Sequence, residues 1–308
     1  MKKVLIFGYA GFVGPYLADE FRKDNYKVVG SDASNSFVGG KDLVFYKANI
    51  LDFDEIDRII QNEKPDVIVN LAAISSVGQS WKIPQKTINV NVIGSLNVLE
   101  ASRKLENKPK ILFVGSSEEY EISDKPISEK NKLNATNPYG ISKLAQESFA
   151  KFYREQFGLK VYSVRPFNHT GIGQKETFVL PSFCKQVAEI EKSGKPGTIS
   201  VGNINIKRDF SDVRDIVRAY KMILDSDDDK TIYNVGSGIA YSLEELLKTI
   251  ISFSSQKIEV VVDKEKFRPV DSPLICCDNS LISKNLGWKP IYDVKETLKS
   301  MYESFLGK

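Results

Sequence analysis

A tyrosine and a lysine four residues apart, Tyr139 and Lys143, are the residues of this sequence best suited to acid–base chemistry. They stand on a predicted helix, where residues at i and i+4 share one face, so the ammonium can lie near the phenol and lower its pKa towards neutrality. Such a tyrosine can donate or remove a carbinol proton while a hydride moves to or from a nicotinamide. Ser116, at the end of a predicted strand, would hydrogen-bond the same substrate oxygen. On its own, this spacing is also common on ordinary amphipathic surfaces.

A glycine-rich turn near the start of the chain, with Gly8, Gly11 and Gly14, separates an apolar strand from a periodic helix. In such a turn the first glycine permits the tight bend, the second lets the backbone approach a pyrophosphate, and the third lets helix and strand pack closely. The free N–H groups of the helix N-terminus add a binding site for the anion. The context therefore favours a dinucleotide site over an ordinary turn.

Asp32 ends the next predicted strand, near the offset of about 20 residues expected for a carboxylate that binds a ribose 2′-OH. A carboxylate there repels a 2′-phosphate, so NAD(H) is favoured as the cofactor. NADP(H) is also possible because Lys41 follows in the same loop.

The first half of the sequence alternates short β-branched runs with amphipathic stretches, which is typical of a parallel sheet covered by helices. These strands and helices must position the residues named above. We predict a Rossmann-type α/β fold, with six strands in one doubly wound parallel sheet within residues 1–165 and a smaller substrate-binding lobe within residues 166–308. Some segments of the lobe should pack back onto the sheet. The predicted strands are Lys3–Phe7, Lys27–Ser31, Val44–Lys47, Val67–Asn70, Lys110–Val114, Lys160–Arg165 and, in the lobe, Thr231–Val235. The predicted helices are Gly14–Lys23, Phe53–Asn62, Ile83–Leu105, Tyr139–Phe157, Leu180–Lys192, Asp212–Ser226, Ser242–Phe253, Ser280–Leu286 and Val294–Phe305. Long loops are predicted at Pro166–Lys175, Lys195–Arg208 and Asp263–Pro273.

Composition excludes several classes of function. The 308 residues are 42% hydrophobic and carry 43 basic against 40 acidic side chains, so nothing indicates disorder or a nucleic-acid partner. No apolar run approaches the ~18 residues of a membrane span. The three cysteines have no metal-type spacing and His169 is the sole histidine, so we expect reduced, buried thiols, no metal site and a cytoplasmic location without a membrane anchor.

Several motifs in order along the chain resemble the extended short-chain dehydrogenase/reductase family of nucleotide-sugar epimerases, dehydratases and reductases. They are Gly8–Gly14, Leu71–Ala73, Asn91–Ser95, Ser116–Tyr120, Tyr139–Lys143, Arg165–Asn168, Arg208–Phe210 and Arg268–Val270. The resemblance implies that Ser116, Tyr139 and Lys143 are catalytic and that Lys143 also contacts the nicotinamide ribose. Further cofactor contacts implied by the resemblance are Phe12, Val13, Asn49, Ile50, Leu71, Ala72, Ala73 and Pro166, with Asn49 and Ile50 beside the adenine.

Within that family, the segments Phe12–Leu17, Ser116–Tyr120 and Arg165–Gln174 are most similar to reductases of GDP-4-keto-6-deoxy-mannose. The resemblance implies hydride transfer from NAD(P)H to the 4-keto group of a GDP-sugar, or of another nucleotide-diphosphate sugar, with Tyr139 as general acid. The implied substrate contacts are Ser117, Glu118, Asn168, Arg208 and Arg268, with both arginines placed in loops.

The same motifs allow different chemistries. A 4,6-dehydratase would use Glu118 as its base, although Ser117 stands where many dehydratases place an acid, which favours the reductase. The sequence also allows a 4-epimerase or 4-dehydrogenase that retains NAD, and an NAD(P)-sensing regulatory protein. The family further implies a homodimer that pairs the helices Ile83–Leu105 and Tyr139–Phe157 in a four-helix bundle.

Overall fold

The computed structural model describes residues 1–34, 43–226, 231–267 and 272–307. Its strands are β1 Lys3–Phe7, β2 Lys27–Asp32, β3 Val44–Lys47, β4 Val67–Asn70, β5 Lys110–Val114, β6 Lys160–Pro166, β7 Asn168–Thr170, β8 Gly197–Val201, β9 Lys207–Asp212, β10 Ile232–Val235, β11 Ala240–Ser242, β12 Ile258–Val262 and β13 Leu274–Ile275. Its helices are α1 Val13–Arg22, α2 Phe53–Glu63, α3 Val77–Lys82, α4 Pro84–Ile88, α5 Gly94–Arg103, α6 Pro138–Phe157, α7 Val179–Ser193, α8 Val213–Asp225, α9 Leu243–Ile251, α10 Ser280–Leu286 and α11 Val294–Leu306.

The main sheet has seven parallel strands in the order β10-β6-β5-β4-β1-β2-β3. Its central strands are apolar on both faces, as in β1 and β4, because helices cover both sides. The predicted doubly wound α/β class is confirmed, and six of its strands lie where the sequence placed them. The count of six was wrong: β10 pairs with β6 and extends the sheet by one strand from the later part of the chain.

Two apolar cores lie on opposite faces of this sheet. One packs α1 and α8 against it, with Leu17, Phe21 and Tyr220 among the buried side chains. The other packs α2, α5 and α6 against it, around Ile56 and Leu99. Burying each such side chain stabilises the fold by about 1.5–3 kcal/mol, so the sheet is held firmly from both sides.

The predicted helix Ile83–Leu105 is helical from Pro84 to Arg103, but it is not one regular α-helix. The structure has α4, a wide π-helical turn at Asn89–Ile93, and then α5, with the unpredicted α3 before them. Within the wide turn Asn91 is buried, and its side chain bonds both the N–H and the carbonyl of Ile74. Helical periodicity in the sequence does not reveal such a turn, because the chain stays helical through it.

The later part of the chain forms a third core between α7, α9 and α11. Two loop predictions here were wrong in part, since Pro166–Lys175 contains β7 and Lys195–Arg208 contains β8 and the start of β9. In the predicted loop Asp263–Pro273, the described residues form a 3-10 turn at Lys264–Lys266, and 268–271 lie outside the described residues. These short strands pair with partners far along the chain, which local patterns do not reveal. All three cysteines are unpaired and buried, as predicted. Within the described residues, no helix combines the length and apolar character needed to cross a bilayer.

Candidate active site

The carboxyl ends of the sheet strands bring the predicted site residues to one edge. Gly8 follows β1, Asp32 ends β2, Ala72 follows β4, Ser116 follows β5 and Pro166 ends β6. The chain reverses its direction of winding between β1 and β4, and in open α/β sheets ligands bind in the crevice at that point.

The glycine turn after β1 has room for glycine alone at two positions. Gly8 has φ +78°, and a Cβ there would lie 2.5 Å from the backbone nitrogen of Ala72. A Cβ on Gly14 would lie 2.1 Å from the carbonyl oxygen of Tyr9. Gly11 is exposed, and a Cβ there would meet only the Gly8 carbonyl, at 3.1 Å. The turn therefore offers a bare backbone surface of the kind that a pyrophosphate needs.

Helix α1 begins directly after this turn with free N–H groups. Phe12 provides no side-chain cap, and the first turn carries no acidic residue. Phe12 and Val13 are half-buried, and the Phe12 ring stacks on His169 at 6.2 Å between centroids. The uncapped helix end and the tight glycines fit a dinucleotide diphosphate.

The Asp32 carboxylate is held at the mouth of the turn. Its Oδ2 accepts a hydrogen bond from Ala10 N at 3.1 Å, and its Oδ1 accepts one from Ser34 N at 2.8 Å. These two bonds fix the carboxylate where β2 ends, beside the glycine turn. Lys41 lies outside the described residues.

The remaining predicted cofactor contacts surround the same edge. Ile50 is buried against Gly94, whereas Asn49 is exposed and its side chain accepts from Leu51 N at 3.1 Å. The segment after β4 is half-buried at its three predicted positions, Leu71, Ala72 and Ala73, and Pro166 is buried. Leu71 N donates to the carbonyl of Phe7, which ties this segment to β1.

Ser116, Tyr139 and Lys143 come together in a buried cluster. Ser116 lies close enough to hydrogen-bond the Tyr139 phenol, and the Lys143 Nζ is 5.9 Å from the centroid of the Tyr139 ring. Lys143 Nζ donates to the carbonyl of Val114 at 2.7 Å and to Gln146 Oε1 at 3.1 Å. Helix α6 carries the tyrosine and the lysine one turn apart, and β5 delivers the serine.

The electrostatics of this cluster differ from the prediction. Burial raises the pKa of Tyr139, and the partner that lowers it is Ser116 rather than Lys143. Burial also lowers the pKa of Lys143 to about 8, because removal from water disfavours the ammonium. The prediction that the lysine brings the Tyr139 pKa towards neutrality was therefore wrong for the chain alone. Burial therefore favours the protonated form of the Tyr139 phenol at neutral pH.

Asn91 supports the cluster and was given no role from the sequence. Its Nδ2 donates to Ser142 Oγ at 2.8 Å, and that hydroxyl donates to the Tyr139 carbonyl at 2.6 Å. The chain of bonds links the π-helical turn to the first turn of α6. Asn91 belongs to the Asn91–Ser95 motif of the sequence, but that motif does not reveal its hydrogen bond to Ser142.

Two predicted site residues, Ser117 and Glu118, follow Ser116 in the chain, and Glu118 supplies a carboxylate at the site. Ser117 is buried, and Glu118 is half-buried with its Oε2 accepting from Asn137 Nδ2 at 2.8 Å. Asn137 in turn caps α6 by accepting from Gly140 N. Glu118 is thus fixed in position beside the tyrosine's helix.

The predicted substrate residues of the later segment are only partly described. Asn168 is half-buried in β7. Arg208 does not lie in a loop as predicted: it is buried in β9, and its Nη1 donates to the carbonyls of Lys207 and Ser272 at 2.8 and 2.7 Å. Arg268 lies outside the described residues. No group of three or more His, Cys, Asp or Glu side chains suited to a metal ion occurs in the part of the chain that the structure covers.

Comparisons with known proteins agree with this architecture. The family model of GDP-mannose 4,6 dehydratase matches residues 5–301. The GDP-6-deoxy-D-mannose reductase of Pseudomonas aeruginosa is 31% identical over 242 residues, which cover 78% of this chain and 80% of the relative.

Two solved structures are similar over the whole fold. The structure of RMD from Pseudomonas aeruginosa complexed with NADPH has a TM-score of 0.87 and 26% identity, covering 100% of this chain and 99% of that one. The UDP-glucose 4-epimerase of Brucella ovis in complex with NAD has a TM-score of 0.88 and 25% identity, covering 99% of each chain. Since the family match spans nearly the whole sequence, the chain belongs to the GDP-mannose 4,6-dehydratase family, within the extended short-chain dehydrogenase/reductase enzymes that act on nucleotide sugars.

Proposed function

We propose that this chain reduces the 4-keto group of a GDP-4-keto-6-deoxy sugar with NAD(P)H, using Tyr139 as the general acid. The observation that carries the proposal is the buried cluster in which Tyr139 lies beside Ser116 and has Lys143 Nζ 5.9 Å from its ring centroid. The similarity to a GDP-6-deoxy-D-mannose reductase supports this choice of substrate class.

In the proposed mechanism, the residues of the chain hold the substrate oxygen and supply its proton. NAD(P)H, held by Gly8, Gly14 and Asp32, would supply the hydride. Tyr139 donates its phenolic proton to the oxygen of the keto group as the carbonyl is reduced, and Ser116 hydrogen-bonds the same oxygen. The Lys143 ammonium contributes positive charge beside the phenol as the proton leaves.

The substrate contacts of the proposal are Ser117, Glu118, Asn168, Arg208 and Arg268. Incubation with GDP-, dTDP-, UDP- and CDP-4-keto sugars, followed by the absorbance of the reduced cofactor, tests which nucleotide is accepted. We expect the GDP-sugar to have the highest kcat/KM. A higher kcat/KM with another nucleotide would contradict the choice of a GDP-sugar and assign that nucleotide to the substrate instead.

A 4,6-dehydratase is the second candidate, and the fixed position of Glu118 favours it over an epimerase or a dehydrogenase. The hydrogen bond from Asn137 uses one carboxylate oxygen of Glu118, and the other oxygen could act as the base. That enzyme, like a 4-epimerase retaining NAD, would return the hydride to its own substrate and turn over without added reductant, whereas a 4-dehydrogenase retaining NAD would need a further oxidant to accept the hydride. The joint presence of Tyr139 and Lys143 in one buried cluster supports an enzyme over an NAD(P)-sensing regulatory protein.

We also propose that NAD(H) is preferred to NADP(H), because the anchored Asp32 carboxylate would bond a ribose 2′-OH and repel a 2′-phosphate. Replacing Asp32 with alanine is expected to weaken NADH binding about tenfold, which corresponds to ~1.4 kcal/mol, and to leave NADPH binding unchanged or stronger. Fluorescence titration with both cofactors measures the two affinities. Asp19→Ala, on the exposed face of α1, is the control. Equal losses for the two cofactors would contradict the ribose assignment.

We also propose that the chain forms a homodimer through a four-helix bundle. We propose a cytoplasmic location as well, which suits the unpaired thiols. The support for the dimer is a set of exposed apolar side chains on α6, Ile141, Phe149 and Phe152, together with the exposed Ile93 in the π-helical turn, which contacts α6. Sedimentation should show a dimer for the unaltered chain and a folded monomer for Phe152→Asp, with Lys151→Asp as the control for added charge. An unaltered chain that sediments as a monomer would contradict the pairing.

A further inference from the structure

The ammonium of Lys143 is buried and held by two neutral oxygens. Lys143 is 3% exposed, and its Nζ donates to the carbonyl of Val114 at 2.7 Å and to Oε1 of Gln146 at 3.1 Å. Among the described residues, these two oxygens are its hydrogen-bond acceptors. Because water no longer solvates a buried cation, the loss of either acceptor would leave the ammonium poorly satisfied.

Gln146 is the acceptor that a side chain provides. It is 2% exposed and follows Lys143 by three positions on α6, so the two side chains are neighbours on the helix surface. Val114 provides a backbone carbonyl from the last position of β5, two residues before Ser116. The helix and the strand therefore hold Nζ from two sides, and a side-chain substitution removes the contribution of the helix alone.

This arrangement leaves one N–H of the ammonium for the site. A lysine ammonium carries three N–H groups, and the oxygens of Val114 and Gln146 accept from two of them. The family resemblance implies that Lys143 also contacts the nicotinamide ribose, and the third N–H is the one left for that contact. Because a lysine side chain has several rotatable bonds, Nζ would not stay in one place without its two acceptors. Gln146 thus helps to determine where the third N–H lies.

The titratable groups around this ammonium come from α6, β6 and the turn after β5. The Tyr139 ring of α6 lies beside it, the Glu119 carboxyl of the turn acts to raise its pKa, and Glu118 acts on Tyr139. Glu147 of α6 and Arg165 of β6 form an ion pair next to Glu119. Burial raises the pKa of Glu119 to about 8, so this carboxyl is mostly protonated at neutral pH and gives the ammonium little support. The ammonium therefore depends on its two neutral acceptors.

We propose that Gln146 is a positioning residue of the active site, which accepts a hydrogen bond from Lys143 and so keeps the ammonium charged and fixed beside the phenol of Tyr139. The inference deepens the proposed reductase function and rests on it for the need of a positive charge as the phenolic proton leaves. Burial lowers the pKa of Lys143 to about 8, so keto-sugar reduction should fall as the pH rises through about 8. The position of this alkaline limb reports how strongly the ammonium is held.

Two substitutions of Gln146 should move the alkaline limb of the kcat/KM profile in opposite directions. Gln146→Met keeps the length of the side chain and removes the oxygen, so the ammonium loses its proton more easily and the limb should move to lower pH by about one unit. Gln146→Glu puts a carboxylate in place of the amide, so the limb should move to higher pH by about one unit or more. A purely structural role of the glutamine would lower stability without separating the two limbs in this order.

Gln61→Met is the matched control, because it makes the same chemical change on another helix. Gln61 is half-buried in α2, and its Nε2 donates to Asp57 and to the carbonyl of Ala101 rather than to the catalytic cluster. It should leave the alkaline limb in place. Folded Gln146 variants with the limb of the unaltered enzyme, or an equal movement in Gln61→Met, overturn the proposal. Where one Gln146 variant does not fold, the direction of the other decides.

Carbon-13 NMR of the lysine Cε atoms follows the same ionisation without sugar or cofactor, which keeps this test distinct from that of the proposed function. The signal of Lys143 is the one missing from Lys143→Arg, and it should titrate well below exposed lysines, which do so at about 10.4. We expect its midpoint to rise in the order Gln146→Met, unaltered enzyme, Gln146→Glu. Equal midpoints overturn the proposal. A protein that shows this order but reduces no keto sugar contradicts the reductase and retains the hold of Gln146 on Lys143.

Discussion

Replacement of Tyr139 by phenylalanine is expected to lower turnover of the 4-keto sugar by at least ~10²-fold, the lower end of what a positioned general acid contributes. The phenolic hydroxyl is the only part removed, and the buried ring keeps its packing in α6. Binding of NAD(P)H should stay nearly unchanged. Steady-state kinetics together with a cofactor titration measure both effects.

Tyr153→Phe provides the control for this variant. It lies on the same helix, and its hydroxyl donates to Glu100 rather than to any residue of the cluster. Turnover of Tyr153→Phe should remain close to that of the unaltered enzyme. Near-normal turnover in Tyr139→Phe would remove Tyr139 from proton transfer.

Gly14→Ala is expected to disrupt the cofactor turn. The added methyl would lie 2.1 Å from the Tyr9 carbonyl oxygen, so the backbone must shift, at a cost of about 1–3 kcal/mol or more. We expect a loss of thermal stability and a fall in NAD(P)H affinity of about tenfold or more, since each ~1.4 kcal/mol is a factor of ten. Calorimetry and fluorescence titration measure these effects.

Gly78→Ala is the matched substitution for that experiment. It lies in α3, its φ is not positive, and the nearest side-chain atom to an added Cβ is 4.0 Å away. We expect equal or slightly higher stability, because alanine favours a helix over glycine. An unchanged cofactor affinity in Gly14→Ala would contradict the role assigned to the turn.

Sequence periodicity predicted the central sheet well because parallel strands covered on both faces are continuous apolar runs, as β1 and β4 show. The short strands β8, β11 and β12 were missed since their stability comes from partners distant in the chain. The wide turn at Asn89–Ile93 was missed because helical periodicity continues through it, and the bonds of Asn91 to Ile74 at this turn are tertiary.

The site could be predicted as a set of residues but not as an electrostatic system. Spacing along a helix places Lys143 near Tyr139, yet it does not report the burial that raises one pKa and lowers the other. Arg208 was assigned to a loop because its strand has no local signature. Glu119 stood beside Glu118 in the sequence, and its burial behind Ser116 is visible only in the folded chain.

The fate of the cofactor hydride distinguishes a reductase from an enzyme that retains its hydride. With NAD(P)H deuterated at the transferable position of the nicotinamide and GDP-4-keto-6-deoxy-mannose as substrate, we expect one deuterium at C4 of the product for each reduced cofactor consumed. A product formed without consumption of added reductant, and without deuterium at C4, would contradict the reductase and favour an enzyme that returns the hydride to its own substrate.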